Sequence, residues 1–379
     1  MKAFVNALSY IAGEGIARRN IVFDDRIVSI GGEVDGAEVV RIPDDAVVVA
    51  GFIDGHIHGA GGADAMDGTA DALAIIAATL AREGTTAFLA TTMTASERDT
   101  IAAMTAVKEC VSRGNADGAR IIGVHLEGPF ISEKYKGAQP LEHITSPDIA
   151  LFDKFDEACG GMVKTVTLAP EKEGALKLIR HLCDKDVIAS IGHTAATAQE
   201  MKKAVDGGAA AVTHTFNAQS PFAHRDAGAA GIALGDDRLD CEIIADGIHV
   251  CADAVRLLVR CKPHDKITLI TDSIRAKGVG GGVSELGGQT VYVNDGQARL
   301  ADGTLAGSVL RMDSAVKFMV EKAGLSLGEA VDLATVNPAK KLGVYDLMGN
   351  IEVGKRADFT VLDGKLSAIR TVVGGRIVF

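Results

Sequence analysis

Residues 47–59 read VVVAGFIDGHIHG, an apolar run that ends at two histidines. Similar runs recur along the chain: each is short, rich in Val, Ile, Leu, Ala and Thr, and bounded by Gly or polar residues. They are TTAFLATTM (85–93), ARIIGVHLEGPF (119–130), VKTVTLAP (163–170), VIASIGHT (187–194), AAVTHTFNA (210–218), CEIIADGIHV (241–250) and KITLITDSI (266–274). Continuous apolar runs of this length are typical of strands that a parallel sheet buries on both faces.

Segments with helical spacing separate these runs. Examples are DALAIIAATLAREG at 71–84 and TAQEMKKAVDGG at 197–208. Eight strands that are each followed by a helical stretch match the count of a (β/α)8 TIM-type barrel, which is the α/β fold that we predict. A doubly wound open sheet is the alternative. It has no support as a dinucleotide-binding fold, because no G-x-G-x-x-G follows the first strand.

Both ends of the chain have a different pattern. AFVNALSYI (3–11) and AEVVRIP (37–43) near the start, and ADFTVLD (357–363) and IRTVVGGRIVF (369–379) at the end, read as short strands joined by turns. We predict a small β-sandwich domain formed by both termini, with residues 1–49 as its N-terminal part and 346–379 as its C-terminal part. The barrel is then expected at residues 50–345, as a second, larger domain.

Composition excludes several classes of protein. The chain has 379 residues, a formal charge of −11 and a hydrophobic share of 47%, which opposes disorder. It has no Trp and four Tyr, so stacking platforms for nucleic acid are scarce and the charge disfavours phosphate backbones. We find neither a signal peptide nor about 20 uninterrupted apolar residues. Six cysteines without a C-x-x-C pair suit reduced thiols, so we expect a soluble cytoplasmic protein that binds neither nucleic acid nor membrane.

Polar residues at the ends of the runs suggest where the chemistry occurs. In a (β/α)8 barrel the reactive groups lie at the carboxyl ends of the strands. One His or Asp at such an end is more often a structural hydrogen-bonding group or a helix cap. Six of the eight runs, however, end in potential ligands or acids, and a closed barrel directs them to one mouth. These residues are His56, His58, His125, Glu127, His193, His214, Asp246, His249 and Asp272.

The types of these residues indicate hydrolysis assisted by a metal. His56 and His58 lie on one face of a strand because side chains alternate. Imidazole and carboxylate ligands without cysteine favour a catalytic divalent cation over a closed structural zinc site. Such a cation lowers the pKa of water and polarises a carbonyl group. An acid/base is still needed, and Asp272 is the candidate, so we predict hydrolysis of an acyl bond.

Longer motifs give the chain a family resemblance. HLEGPFIS (125–132), THTFNA (213–218), IIADGIHV (243–250) and the closing GKRADFTVLD (354–363) stand together in this order. With them the chain resembles the amidohydrolase superfamily, and within it the deacetylases of 6-phosphorylated N-acetyl amino sugars. The similarity extends over nearly the whole sequence.

The resemblance implies roles for individual residues. Glu127, His193 and His214 would hold a principal divalent metal ion, zinc or iron, and His56 and His58 stand where some members bind a second ion. Asp272 would be the catalytic acid/base. The phosphorylated amino sugar would contact Ala138, Asn217, Ala218, Arg225, His249, Leu305, Ala306 and Gly307.

The same resemblance implies the reaction and the assembly. N-acetylglucosamine 6-phosphate would be cleaved to glucosamine 6-phosphate and acetate by a homodimer, in which the neighbouring subunit sometimes supplies groups near the phosphate.

Departures from the family pattern keep alternatives open. Gln139 stands where members commonly have His, Gln219 where they often have Met, and Ser273 where Ala is usual. These changes flank the pocket, so the 4-epimer, N-acetylgalactosamine 6-phosphate, is an alternative substrate. A cyclic-amide hydrolase with a carboxylated lysine is a second alternative, but Lys164 lies at the start of its run and not at the end. A sugar-phosphate-binding protein without catalysis is the third, and the intact ligand set with Asp272 argues against it.

Overall fold

The computed structural model describes residues 1–114 and 117–379. Its strands in chain order are β1 (Lys2–Ile11), β2 (Gly15–Phe23), β3 (Ile27–Ile30), β4 (Glu38–Val39), β5 (Val47–Ala50), β6 (Phe52–Ile57), β7 (Gly59–Ala60), β8 (Ala63–Asp64), β9 (Thr85–Thr92), β10 (Arg120–Glu127), β11 (Val163–Leu168), β12 (Ile188–Ile191), β13 (Ala211–Val212), β14 (Asp240–Ile244), β15 (Ile267–Ile270), β16 (Gly282–Leu286), β17 (Gln289–Asn294), β18 (Gln297–Arg299), β19 (Phe359–Leu362), β20 (Ala368–Val373) and β21 (Arg376–Ile377). The α-helices are α1 (Ala70–Ala81), α2 (Glu97–Arg113), α3 (Ile149–Ala158), α4 (Ala175–Asp184), α5 (Ala198–Asp206), α6 (Gly228–Gly235), α7 (Ala252–Cys261), α8 (Met312–Phe318), α9 (Leu327–Asp332) and α10 (Val336–Lys341).

The middle of the chain forms a parallel barrel. In the described residues its eight strands follow the order β6-β9-β10-β11-β12-β13-β14-β15, so each pairs with its neighbour along the sequence. Each of the runs predicted as strands contains one of them, and helices α1 to α8 follow them in turn. The strands are almost entirely buried, as continuous apolar runs require. The prediction of a TIM-type (β/α)8 barrel is confirmed.

The barrel closes in two different ways between β15 and β6. At the carboxyl ends of the strands, the N–H of Asp272 donates to the carbonyl of His56 at 2.9 Å. Nearer the strand starts, the segment 333–334 lies between the two strands. Its carbonyls accept hydrogen bonds from the N–H groups of Leu269 at 2.9 Å and Ile53 at 2.8 Å. The first and last strands are therefore joined directly at the end of the barrel that carries the polar residues.

Helices cover the barrel with an apolar face, and α4 shows why. Ala175, Leu178, Ile179 and Leu182 are its buried residues, spaced three or four apart on one side of the helix. Each buried Leu or Ile contributes about 1.5–3 kcal/mol relative to exposure. No helix within the described ranges combines the length and the apolar character needed to cross a membrane.

The two ends of the chain share a second sheet, ordered β21-β20-β19-β5-β1-β2-β3, with β4 paired to β1. The termini meet where β19 pairs antiparallel with β5, Phe359 opposite Ala50. The rings of Phe23 in β2 and Phe359 in β19 are 5.0 Å apart, although three strand intervals separate them. A flat sheet would hold them about 14 Å apart, so the sheet folds over a core of its own. The prediction of a small β-domain formed by both termini is confirmed, and its layers belong to one continuous sheet.

A smaller antiparallel sheet, β16-β17-β18, follows the last barrel strand. Leu286 and Val291 in this sheet belong to the same buried cluster as Met93, Ala138 and Ala306. This sheet is not predicted from the sequence, because β17 alternates buried and exposed residues and glycines interrupt the segment. This insertion contributes to the wall of the cavity described next.

Candidate active site

Glu127 is the last residue of β10 and lies among histidines from other strand ends. Its Oε1 atom lies 3.1 Å from His214 Nε2, 3.3 Å from His193 Nε2 and 3.4 Å from His56 Nε2. Its Oε2 atom lies 3.2 Å from His58 Nε2. All five residues are buried. The barrel thus brings together the five residues predicted as metal ligands.

Asp272 follows β15 and belongs to the same cluster. Its Oδ1 atom lies 3.2 Å from His58 Nε2 and 3.5 Å from His56 Nε2. The backbone bond between Asp272 and His56, which closes the barrel, fixes this carboxylate beside β6. The predicted acid/base therefore lies next to the predicted ligands.

The backbone at three strand ends is strained where these residues lie. His193, His214 and Asp272 have φ angles of 46°, 30° and 48°, in the left-handed region that favours glycine. Such a conformation costs about 1–3 kcal/mol per residue and persists only where surrounding structure imposes it. All three residues belong to the buried cluster, as expected for strain that is kept at a functional site.

Electrostatics within the cluster favour ionised carboxylates. Burial alone would raise the pKa of the Glu127 carboxyl, but His56, His193 and His214 hold it well below its usual range. Burial alone would lower the pKa of His58, but hydrogen bonds to Asp272 and Glu127 raise this pKa to about 9. The lowered pKa keeps the Glu127 carboxylate ionised, which is the form in which it can bind a cation.

The donor atoms fit a divalent cation. Within the described ranges, donor atoms lie within 4.8 Å of one another in the group Glu127, His193 and His214, and also in the group His56, His58 and Asp272. The Nε2 atoms of His193 and His214 are 3.1 Å apart and converge on the same region. The His193 Nδ1–H can donate a hydrogen bond to the Tyr135 carbonyl oxygen, 2.9 Å away, which leaves Nε2 as the metal donor. Imidazole and carboxylate ligands without thiolate are typical of catalytic zinc and iron sites.

A cavity of about 310 Å³ adjoins this cluster, a volume suited to a small molecule. The predicted substrate-binding residues that line it are Ala138, Asn217, Ala218, His249, Leu305 and Gly307. Residues that the sequence analysis did not nominate also line it: Met93, Lys134, Tyr135, Gly137, Gln139, Leu286 and Thr304. The residues between 134 and 139 that line the cavity could have been predicted from the sequence, because they are neighbours of Ala138 along the chain.

Two predicted substrate-binding residues lie elsewhere. Arg225 is on an exposed loop, where its Nη1 atom lies 3.1 Å from His224 Nε2, and it is not among the residues that line the cavity. Ala306 is fully buried behind the cavity wall, and its N–H donates to the Ala298 carbonyl at 3.0 Å. Their contacts with substrate stay predictions.

Gln139 links the cluster to a neighbouring loop. Its Nε2 atom donates to Glu127 Oε2 at 2.6 Å, and its Oε1 atom accepts from the N–H of Thr94 at 2.8 Å. The side chain therefore orients the carboxylate of Glu127. From the sequence, Gln139 stands out only as a departure from the family pattern, and its contact with Glu127 comes from the structure.

Two further strand-end histidines have local partners. The His249 Nδ1 atom is 2.7 Å from Asp246 Oδ2, so this carboxylate fixes the ring at the cavity wall. His125 is fully buried, and its Nε2 atom is 2.7 Å from Thr167 Oγ1. Burial lowers the pKa of His125 to about 3, so it stays neutral inside the barrel. His125 is thus a structural member of the strand-end set.

Comparison with known proteins places these observations in a family. The model of the Amidohydrolase family matches residues 47–378. The N-acetylglucosamine-6-phosphate deacetylase of Bacillus subtilis is 44% identical over 342 residues, which cover 90% of this chain and 86% of that protein. The N-acetylgalactosamine-6-phosphate deacetylase of Escherichia coli O157:H7 is 39% identical over 334 residues, 88% of either chain.

A solved structure is also similar over the whole chain. It is a mutant of the N-acetyl-D-glucosamine-6-phosphate deacetylase of Mycobacterium smegmatis in complex with N-acetyl-D-glucosamine-6-phosphate. It is 33% identical, with a TM-score of 0.93, and the match covers 100% of this chain and 99% of that one. The similarity therefore includes the barrel and the sheet formed by both termini.

Proposed function

This chain belongs to the amidohydrolase family and is a hydrolase, and from this we propose that it deacetylates N-acetylglucosamine 6-phosphate, releasing acetate and glucosamine 6-phosphate. One observation carries the proposal: Glu127, Asp272 and four histidines meet at the rim of the barrel beside a cavity that suits a small molecule. The B. subtilis relative and the M. smegmatis structure support the choice of substrate.

Metal binding is the first part of the proposed mechanism. Glu127, His193 and His214 would hold a principal zinc or iron ion, and His56 and His58 with Asp272 would offer a second position. When bound, such an ion lowers the pKa of water and polarises a carbonyl group.

Proton transfer by Asp272 is the second part. Burial would raise the pKa of the Asp272 carboxyl, but His56 and His58 lower it, so the group is ionised and can act as a base. It accepts a proton from the attacking water and gives it to the nitrogen of the leaving amine. His249, fixed by Asp246, would orient the acetamide carbonyl.

Substrate binding is the third part. Ala138, Asn217 and Ala218 line the cavity. The backbone amides of the two alanines and the side chain of Asn217 would hold the sugar phosphate. Gly307 and Leu305 would form the facing wall. Arg225 does not line the cavity.

We propose that the protein is a homodimer in which the neighbouring subunit completes the phosphate site. Light scattering coupled to size-exclusion chromatography tests this assembly, and the expected mass is twice that of the chain.

The 4-epimer is a second candidate substrate. The E. coli relative, an N-acetylgalactosamine-6-phosphate deacetylase, is 39% identical to this chain. The six cysteines are all unpaired, which supports the proposal that the enzyme works in the reducing cytoplasm.

A parallel assay tests the function. Acetate release is measured on N-acetylglucosamine 6-phosphate, its 4-epimer and the two unphosphorylated parents, with metal content measured on the same sample. The highest kcat/KM is expected on the 6-phosphorylated gluco sugar. Metal-loaded protein that releases no acetate from any of them would contradict the proposal, and a preference for the galacto sugar would support the second candidate.

A further inference from the structure

A buried chain of polar groups runs inside the barrel to the metal cluster. The Lys341 ammonium, at the end of α10, lies 3.0 Å from Glu242 Oε1, and Glu242 Oε2 lies 3.3 Å from His56 Nδ1. The side chains of Lys341, Glu242 and His56 are 6%, 2% and 0% exposed. None of these contacts is used by the proposed mechanism, so the buried pair needs its own explanation.

The Glu242 carboxylate forms a buried ion pair. Its Oε1 atom lies 3.0 Å from the Lys341 Nζ atom, and both side chains are almost completely shielded from solvent. An isolated buried carboxylate would be costly, and Lys341 supplies the compensating charge. The pair therefore places a fixed negative charge beside one ring nitrogen of His56.

A further metal ion at Glu242 does not fit these contacts, although His56, His125 and Glu242 have donor atoms close together. One oxygen of Glu242 already binds the Lys341 ammonium. Both ring nitrogens of His125 lie near other partners, Thr167 Oγ1 at 2.7 Å and the carbonyl of residue 55 at 3.3 Å. The carboxylate of Glu242 therefore acts on His56 and not on a cation of its own.

A carboxylate beside Nδ1 decides which nitrogen of His56 carries the proton. When a histidine binds a metal ion, the ring nitrogen that faces a hydrogen-bond acceptor keeps the proton, and the other nitrogen gives its lone pair to the ion. His56 Nε2 faces the carboxylates of Glu127 at 3.4 Å and Asp272 at 3.5 Å. A cation held by these carboxylates would take the Nε2 lone pair, and the proton would then stay on Nδ1 beside Glu242. His58 differs, since its Nδ1 atom has no hydrogen-bond partner among the described residues. Of the two histidines, His56 is the one whose Nδ1 atom faces a carboxylate. The orientation of the His56–His58 pair therefore depends mainly on the contact between Glu242 and His56.

We propose that Glu242, held by Lys341, is a positioning residue that keeps His56 Nε2 available to the second cation position formed by His56, His58 and Asp272. This inference rests on the proposed metal-dependent function. It predicts that the Glu242–Lys341 pair controls occupancy of the second position and leaves the position at Glu127, His193 and His214 unaffected.

The test measures metal binding in the full-length protein. Metal-stripped protein is titrated with zinc against a chelating indicator, and bound zinc per chain is counted by mass spectrometry. The double variant Glu242→Gln/Lys341→Met removes both charges and leaves no unpaired buried ion. A glutamine amide presents either oxygen or N–H to the ring, so Nδ1 is no longer held as a donor. We expect the first equivalent unchanged and the second bound about 10–100-fold more weakly.

A second variant and two controls separate positioning from folding. Glu242→Asp keeps a carboxylate to pair with Lys341, but its side chain is one methylene shorter and reaches less far toward His56. It should therefore also weaken the binding of the second zinc ion. Lys341→Arg should keep both equivalents. The matched control is Glu83→Gln/Lys277→Met, which removes another buried ion pair, 2.5 Å apart, without a contact to a site histidine. This control should lower the melting temperature and still bind both equivalents.

Three results would overturn the inference. They are a wild-type protein that saturates at one equivalent, Glu242 variants that bind both equivalents as tightly as wild type, and an equal loss in the Glu83 control. None of them would affect the proposed deacetylase activity, which the acetate assay measures separately. Conversely, normal two-step metal binding without acetate release would refute the function and leave the positioning role intact.

Discussion

Glu127 and Asp272 are buried carboxylates of the same cluster, and the structure gives them different neighbours. Glu127 lies within 3.5 Å of four histidines and is oriented by Gln139, as a metal ligand would be. Asp272 has two histidines within 3.5 Å, His56 and His58, and like Glu127 it lines the cavity. The proposed proton-transfer role therefore suits Asp272 better than Glu127.

Replacing Asp272 tests this role. Asp272→Asn should lower kcat by about 10²–10⁴-fold, because the amide cannot accept a proton from water. The principal ion should remain, since Glu127, His193 and His214 are unchanged. Steady-state kinetics and metal analysis on the same preparation check both parts. Near-normal turnover in Asp272→Asn would show that the proton is moved by another group.

Lys134 is the one lysine or arginine among the described residues that line the cavity. Its ammonium group can bind the substrate phosphate in a chain that is otherwise acidic. Lys134→Ala should raise KM for N-acetylglucosamine 6-phosphate by about tenfold, or about 1.4 kcal/mol, with little effect on the unphosphorylated sugar.

Arg225→Ala serves as the comparison for Lys134→Ala. A loss confined to the phosphorylated substrate would support the predicted phosphate contact of Arg225. An equal loss on both sugars would assign Arg225 a structural role, and the same result for Lys134→Ala would contradict its phosphate-binding role.

At the residue scale, the sequence predicts those ligands that directly follow an apolar run, such as His193 and Asp272. In a (β/α)8 barrel the reactive residues lie at the carboxyl ends of the strands, so the end of each run identifies a candidate. Glu242 was missed because it lies inside a run, where its alternation into the barrel cannot be distinguished from a polar residue facing a helix. Lys341 was missed because the return of α10 toward the barrel depends on tertiary contacts.

At the scale of elements, the loop 305–307 is fixed against the strand end that carries Asp272. The N–H of Ser308 donates to the Asp272 carbonyl at 2.8 Å, and the N–H of Ile274 donates to the Ser308 carbonyl at 3.0 Å. Gly307 has a φ of 59°, and a Cβ atom there would lie 2.5 Å from Ile274 Cγ2 and 3.0 Å from the Asp272 carbonyl oxygen. A side chain at this position must displace the segment that holds the acid/base.

Gly307→Ala tests the importance of this contact. We expect a loss of about 1–2 kcal/mol in stability from the left-handed backbone and a marked fall in kcat from the shifted Asp272. Gly303→Ala is the matched control, because its φ is 89° and a Cβ atom would meet nothing within 4 Å. Denaturation curves and kinetics on both variants check the prediction. Equal activities would show that the loop does not position Asp272.

The elements that were predicted from sequence are those with continuous buried runs. The sequence predicts even β13, which has two residues, because the apolar run that contains it continues into THTFNA. The sheet β16-β17-β18 was not, since an exposed antiparallel sheet in a glycine-rich segment lacks such a run. The contribution of this sheet to the cavity wall, through Leu286, is therefore known only from the structure.

At the scale of the whole molecule, the buried charges of the cluster link metal content to stability. A ligand that binds the folded state alone adds about 2.7 kcal/mol at 100 times its dissociation constant. Dialysis against a chelator should therefore lower the melting temperature by about 3 °C and abolish acetate release. Added zinc or iron should restore both. Metal-stripped protein with unchanged activity and melting temperature would contradict the proposed dependence on a metal.

The pairing of β5 with β19 also has a consequence for biosynthesis. The first barrel strand, β6, begins two residues after β5, whose partner β19 is made more than 300 residues later. At 5–20 residues per second, the ribosome delivers that partner about 15–60 s after β5 emerges. The nascent chain must keep β5 unpaired on the edge that later receives β19 throughout this interval. Premature termination near residue 355 would leave this edge open and expose the chain to quality control, even though every barrel strand had already been translated.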